Sequence, residues 1–141
     1  MKIKIKYLTD ITPLYIAEKG DWIDLRCAHD ILLFKGQYAK IPLGIAVELP
    51  AGYEAIVAPR SSSFEKFGFI VPNSFGVIDE SYCGDNDEWH LPVLAMRQAS
   101  IGKDTRIAQF RIVPHQPNFD ILTVEGLGNA DRGGFGSTGI N

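Results

Sequence analysis

Cysteine is nearly absent from the chain, with two in 141 residues, at Cys27 and Cys83. Two are too few for a disulfide framework, so free thiols in a reducing cytosol are expected. Long apolar runs are missing as well, and none approaches the roughly 20 residues a bilayer-spanning helix needs. The opening MKIKIKYL alternates lysine with apolar residues and lacks the continuous apolar block of a signal peptide. Charge of one sign is also scarce. A formal net charge of −3 gives no basic footprint for duplex nucleic acid, so any phosphate chemistry must be local. The three histidines, His29, His90 and His115, lack zinc-ligand spacing. A soluble, cytoplasmic protein with no nucleic-acid and no membrane partner is the expectation.

What remains is 45% apolar residues in short pieces, enough for one domain with a real core. Period-two alternation dominates. Ile3, Ile5 and Tyr7 share one face of the first segment and Lys2, Lys4 and Lys6 the other. ILLF and YAKIPLGIAVELP flank the turn KGQ and predict a hairpin. AIVAP, LPVLAM, RIAQFRIV and FDILTV add further short runs bounded by turn residues. The pattern predicts an all-β barrel or sandwich. SSSFEKFG is the one helical nucleus, with Ser62 and Glu65 at capping-box spacing and Gly68 placed to end it. Residues 129–141 are Gly-rich and predict a mobile arm beyond a 1–128 body.

Five stretches could carry chemistry. APRSSSFEKFG sets Arg60 and three serines where a strand meets a helix start, which suits either an anion site or an ordinary cap. In TRIAQFRIV, alternation puts Ala108, Phe110 and Ile112 on one face and Ile107, Gln109, Arg111 and Val113 on the other. Gln109 there faces either solvent or a ligand. The tail DRGGFGSTG has glycines around a lone Phe135 and no lysine after them, so it is no Walker A loop. It reads as a plain flexible tail or as a backbone cradle for an anion. In WIDLRCAHD, Asp24 faces either solvent or a metal-bound water. GVIDESYCGD puts Asp79 at the end of an apolar run, directly before a turn.

Taken in order, these stretches resemble the five motifs of the trimeric deoxyuridine triphosphate nucleotidohydrolase (dUTPase) family. DLR at Asp24–Arg26, APRSS at Ala58–Ser62, GVIDESYCGD, RIAQF at Arg106–Phe110 and GGFGSTG at Gly133–Gly139 match them one to five. The resemblance implies a jelly-roll-like β-barrel with one short helix and a C-terminal arm, assembled as a homotrimer with shared active sites. It implies hydrolysis of dUTP to dUMP and pyrophosphate with Mg²⁺, keeping uracil out of DNA and supplying dUMP for thymidylate synthesis. Asp79 would deprotonate the water that attacks the α-phosphorus. Tyr82 would lie against the deoxyribose, and Asn73 with the backbone around Gly76, Val77 and Ile78 would read the uracil. Arg60, Ser61, Ser62 and Gln109 would hold the phosphates, joined by Arg132, Gly136 and Ser137 of the arm, whose Phe135 would cover the base. Asp24 would meet Mg²⁺ through water.

The chain departs from the family pattern in three places. RGGF sets Arg132 only three residues before Phe135, so that loop is two residues shorter than is usual in the family. DNDEWH stands between the third motif and the next apolar run, which suggests that Trp89 (or His90) covers the uracil in place of Phe135. KDTRIAQ lacks the glycine usual before the fourth motif. A rival enzyme of the same fold, deoxycytidine triphosphate deaminase, needs a glutamate in the strand after the third motif, and LPVLAMRQ has none. A nucleotide-gated binding or signalling role is the other alternative, in addition to hydrolysis.

Overall fold

The computed structural model describes residues 1–136. Ten strands and one short helix follow in the order β1 (Lys4–Tyr7), β2 (Ile23–Arg26), β3 (Ile31–Leu33), β4 (Tyr38–Glu48), β5 (Tyr53–Pro59), α1 (Ser63–Phe67), β6 (Phe69–Ile70), β7 (Gly76–Ile78), β8 (Glu88–Ala95), β9 (Ala99–Ile101) and β10 (Arg106–Pro114). They form two four-stranded sheets, ordered β1-β4-β8-β6 and β2-β10-β5-β7, plus the small pair β3-β9. All pairings are antiparallel. The architecture is all-β and jelly-roll-like, with sheets that do not close into a continuous barrel.

The core lies between the two large sheets, where alternate residues of each strand meet. Along β8 the inward set is Trp89, Leu91, Val93 and Ala95; along β10 Ala108 and Phe110 face inward, and Ile107 joins them. Trp89 and Phe110 pack edge to face across the sheets, with ring centroids 5.2 Å apart. A register shift between Arg106 and Ala108 explains why the consecutive Ile107 and Ala108 are both buried.

Three local expectations fail. The segments around KGQ form no hairpin: β3 pairs with β9, while β4 pairs with β1 and β8. Leu33 and most of β4 are buried, so each strand finds an apolar partner elsewhere in preference to its sequence neighbour. FDILTV is no strand: Phe119, Ile121, Leu122 and Val124 stand exposed in an irregular segment. Helix α1 forms, but Ser62 makes no side-chain cap hydrogen bond, so the capping box with Glu65 is absent. Ser63 takes the local role instead. Its buried Oγ accepts from the Arg60 N–H at 3.0 Å and donates to the Ile107 carbonyl at 2.9 Å. The helix ends as expected at Gly68, whose φ of 64° is left-handed; a Cβ there would also collide with the Arg97 side chain.

The missing glycine before the fourth motif has a visible substitute. Asp104 itself adopts φ 70° and binds Thr12 through both carboxylate oxygens, the Thr12 N–H at 2.8 Å. Its carbonyl accepts from Arg26 at 2.7 Å. The Thr12 hydroxyl bond, followed by the Thr12 N–H and the nearby Arg26 and Lys103 charges, holds the Asp104 carboxyl below the usual carboxylate range. Asp104→Ala is expected to cost about 1–2 kcal/mol in chemical denaturation, from lost hydrogen bonds and an L-residue without a polar anchor at positive φ. A depressed folded-state pKa stabilises above the unfolded value and ceases to do so as pH falls through the folded one. The difference between variant and wild type should therefore shrink below about pH 4.

Candidate functional site

The third-motif residues gather at one edge of the second sheet. β7 pairs only with β5, so the outward half of its backbone N–H and C=O groups has no strand partner among the described residues. A methyl group on Gly76 would meet Val57 at an ordinary contact distance, so packing within this chain does not require the glycine. Asn73 lies exposed in the tight turn that leads into β7, next to Ser74 at φ 69°. The turn after β7 carries Asp79, whose packing is not supplied by Val77, since that side chain is itself exposed.

Ser81 fixes the carboxylate instead. Its N–H donates to Asp79 Oδ2 at 2.9 Å, and its hydroxyl makes a short bond to the same oxygen. Oδ1 stays open, with His115 Nε2 at 3.9 Å. The Ser81 hydroxyl, then the Ser81 N–H and the neighbouring His115, hold the Asp79 carboxyl below its ordinary range, so it is ionised throughout the neutral region. Tyr82 donates its hydroxyl to the Glu88 carbonyl at 3.0 Å, which stands the ring between this turn and β8. Asp79, Tyr82, Val77, Ile78 and His90 share one cavity of about 600 Å³.

Trp89 lines the back of that cavity but is only 1% exposed, anchored in the core against Phe110. The expectation that it covers a base is corrected: β8 begins at Glu88, so Trp89 is a core strand residue and belongs to no insertion. The next residue, His90, points the other way and is exposed.

The residues expected on the phosphate side gather elsewhere. Asp24 on β2 is clamped by Arg60 Nε at 3.0 Å and Arg106 Nη1 at 3.2 Å. Gln109, opposite Asp24 in the β2–β10 register, donates to the Pro59 carbonyl at 3.1 Å. Asp24, Gln109 and Arg106 line a second cavity of about 370 Å³ that contains neither Asp79 nor Tyr82. β2 and β7 are the two edges of one four-stranded sheet, so Asp24 and Asp79 sit roughly 14 Å or more apart. Ser61 is exposed and Ser62 half-buried at the start of α1. Arg132, Phe135 and Gly136 lie exposed on the arm, and Ser137 falls outside the described residues.

Among the described residues no group of three or more potential ligands could enclose a metal ion. Asp24 fits an indirect role. A carboxylate offers about four lone-pair sites, and the two arginines occupy one on each oxygen, which leaves acceptors for a metal's water. Four site residues escaped the sequence reading. Ser81 stood inside the third motif without an assigned role. Arg106 likewise stood inside a motif without an assigned role; Ser63 was one of three serines in a row; His115 is distant in sequence from everything it faces.

The dUTPase family model matches residues 17–139. The chain is 55% identical over 140 residues to the SPbeta prophage-derived deoxyuridine 5′-triphosphate nucleotidohydrolase YosS of Bacillus subtilis (strain 168), covering 99% of each. It is 37% identical over 145 residues to the deoxyuridine 5′-triphosphate nucleotidohydrolase of Hydrogenobaculum sp. (strain Y04AAS1), again covering 99% of each. The structure of the Staphylococcus bacteriophage 80alpha dUTPase with dUPNHPP superposes with a TM-score of 0.82 over 99% of both chains, and at 21% identity this speaks to the fold. A full-length relative at 55% identity and a family model over most of the chain settle the matter: the chain belongs to the dUTPase family, the enzymes that hydrolyse dUTP.

Proposed function

We propose that the chain converts dUTP to dUMP and pyrophosphate through water activated by Asp79. Asp79 Oδ1 takes a proton from the water as its oxygen bonds to the α-phosphorus; the bond from that phosphorus to the bridging oxygen breaks, and pyrophosphate leaves. Fixing Oδ2 through Ser81 leaves Oδ1 as the basic atom and spares the reaction the cost of orienting it. The single observation that carries this reading is Asp79 itself, ionised, tethered on one oxygen and open on the other, at a cavity walled by Tyr82 and the edge strand.

The outward backbone groups of β7, with Asn73, would pair with the uracil edge, and the Tyr82 ring would pack on the sugar where a 2′-hydroxyl finds no room. His90, the exposed ring of the β8 segment, is the candidate to cover the base alongside Phe135. Arg60, Ser61, Ser62 and Gln109 would hold the phosphates, with Arg132 and Ser137 delivered by the 129–141 arm. Mg²⁺, when bound to the triphosphate, would neutralise its charge, with Asp24 facing the water shell; a mutant dUTPase from phage phi11 of S. aureus coordinates a structural Mg(II) ion. A cytosolic location accords with a nucleotide substrate and two free thiols. Pyrophosphate release measured across dUTP, dCTP, dTTP and UTP, with and without Mg²⁺, tests the reading. Activity with dCTP equal to that with dUTP would overturn it.

A homotrimer is part of the proposal. Base and phosphate-side residues occupy separate cavities in one chain, and the exposed Phe119, Ile121, Leu122 and Leu127, in the segment that precedes the arm, form an apolar stretch of the sort that other chains cover. If each site combines residues of different copies, two inactive variants can rescue each other. Asp79→Asn and Arg60→Ala chains, unfolded together in equal amounts and refolded, should regain about a quarter of wild-type activity, since that share of sites draws both intact residues. Activity no higher than the average of the separate variants would mean that each site belongs to a single copy.

A further inference from the structure

We propose that His115, which lies outside all five motifs, is a positioning residue for the base and extends turnover to lower pH. The inference rests on Asp79 acting as proposed above. His115 follows the end of β10, and its N–H donates to the Gly52 carbonyl at 2.9 Å, which plants the ring beside the turn after β7. One ring nitrogen, Nε2, faces Asp79 Oδ1 at 3.9 Å and the other, Nδ1, faces Glu80 Oε1 at 3.7 Å. Nε2 is shielded from solvent and has no hydrogen-bond partner among the described residues. It is aimed at the one oxygen of Asp79 that Ser81 leaves open.

A buried imidazole nitrogen without a partner is costly, and a carboxylate within 4 Å is its natural complement. The ring stands between two consecutive carboxylates, with Glu54 of β5 lining the same cavity, and the described residues of that cavity include no lysine or arginine. Glu80 is itself committed, since Oε2 accepts from the Gly52 N–H at 2.8 Å. The turn, the start of β5 and the end of β10 are thereby tied into one unit around His115. When the ring carries its proton it favours the ionised form of Asp79, and this helps to keep the base available at low pH.

The test is His115→Gln, which keeps a polar side chain of similar reach but cannot charge. The kcat–pH profile for dUTP should move its acid limb to higher pH in the variant. The expected kcat is about two-fold lower near and below pH 4, with little change near pH 8 and an unaltered KM. A merely structural role would lower kcat equally at every pH, and that result overturns the proposal. Carbon-13 NMR of the Asp79 carboxyl gives a readout that needs no turnover: its titration should shift to higher pH in His115→Gln. An unmoved carboxyl titration sinks the coupling even in an active enzyme. A shifted titration in a protein that does not hydrolyse dUTP would uphold the coupling and refute the proposed reaction instead.

Discussion

Replacing Asp79 with Asn lowers kcat for dUTP by about 10²–10⁴-fold while nucleotide binding is retained, the loss expected when a general base disappears. The amide can still accept the Ser81 hydrogen bonds through its oxygen, so the turn after β7 keeps its shape and Tyr82 its place. What the amide lacks is an oxygen able to take a proton, and Oδ1 is the atom that the structure leaves open for one. Single-turnover rates and analogue titration together separate the two effects: a drop in the chemical step at unchanged affinity is the expected pair. Near-native hydrolysis by the variant would remove Asp79 from the mechanism. Asp79→Glu is a useful companion, because it keeps the charge and misplaces it by a methylene; it should fall between the two, as the tether through Ser81 demands.

The second large effect falls on stability. Trp89→Ala should cost about 3–5 kcal/mol, as truncation of a fully buried tryptophan removes both its transfer energy and its contact with Phe110. Because that ring pair joins the two sheets, the loss should appear as a cooperative shift of the whole unfolding transition. Trp89→Phe should recover most of it, since the indole N–H is buried without a partner among the described residues and its removal forfeits no hydrogen bond to them. His90→Ala, one residue on, is expected to leave the transition midpoint nearly unchanged and to raise KM for dUTP. Denaturant titrations and KM values on the three variants decide the matter. A stable Trp89→Ala protein with weakened substrate binding would restore the idea that the tryptophan covers the base.

That pair of residues shows what alternation can and cannot tell. Trp89, Leu91, Val93 and Ala95 repeat every second residue, so the inward face of β8 is written in the chain. The reading went astray only at the strand's start, where DND resembles loop composition and the first three strand residues, Glu88, Trp89 and His90, were counted as insertion. In RIAQFRIV the same rule placed Ala108, Phe110 and Gln109, but it put Ile107 on the Gln109 face, where the register shift at the strand's start buries it beside Ala108. FDILTV failed for another reason. Apolar composition marks what must be covered, and it does not say whether the cover is this chain's own sheet or a neighbouring copy. The hairpin around KGQ failed because turn chemistry is local, whereas the partners of β3 and β4 are chosen by which apolar faces can be buried together.

The sequence by itself determined the all-β class, the inward residues of the long strands, the αL stop at Gly68, and the identities of Asp79, Tyr82, Asn73 and Gln109 as candidates. These are properties of short stretches, set by side-chain period and by motif. Only the tertiary structure decided that Asp79 and Asp24 lie at opposite edges of one sheet, that Ser63 and not Ser62 locks the second motif to the fourth, and that Ser81 and His115 divide the two oxygens of Asp79 between them. Each of these is a meeting of atoms whose approach depends on sheet order and burial. No spacing along the chain encodes them.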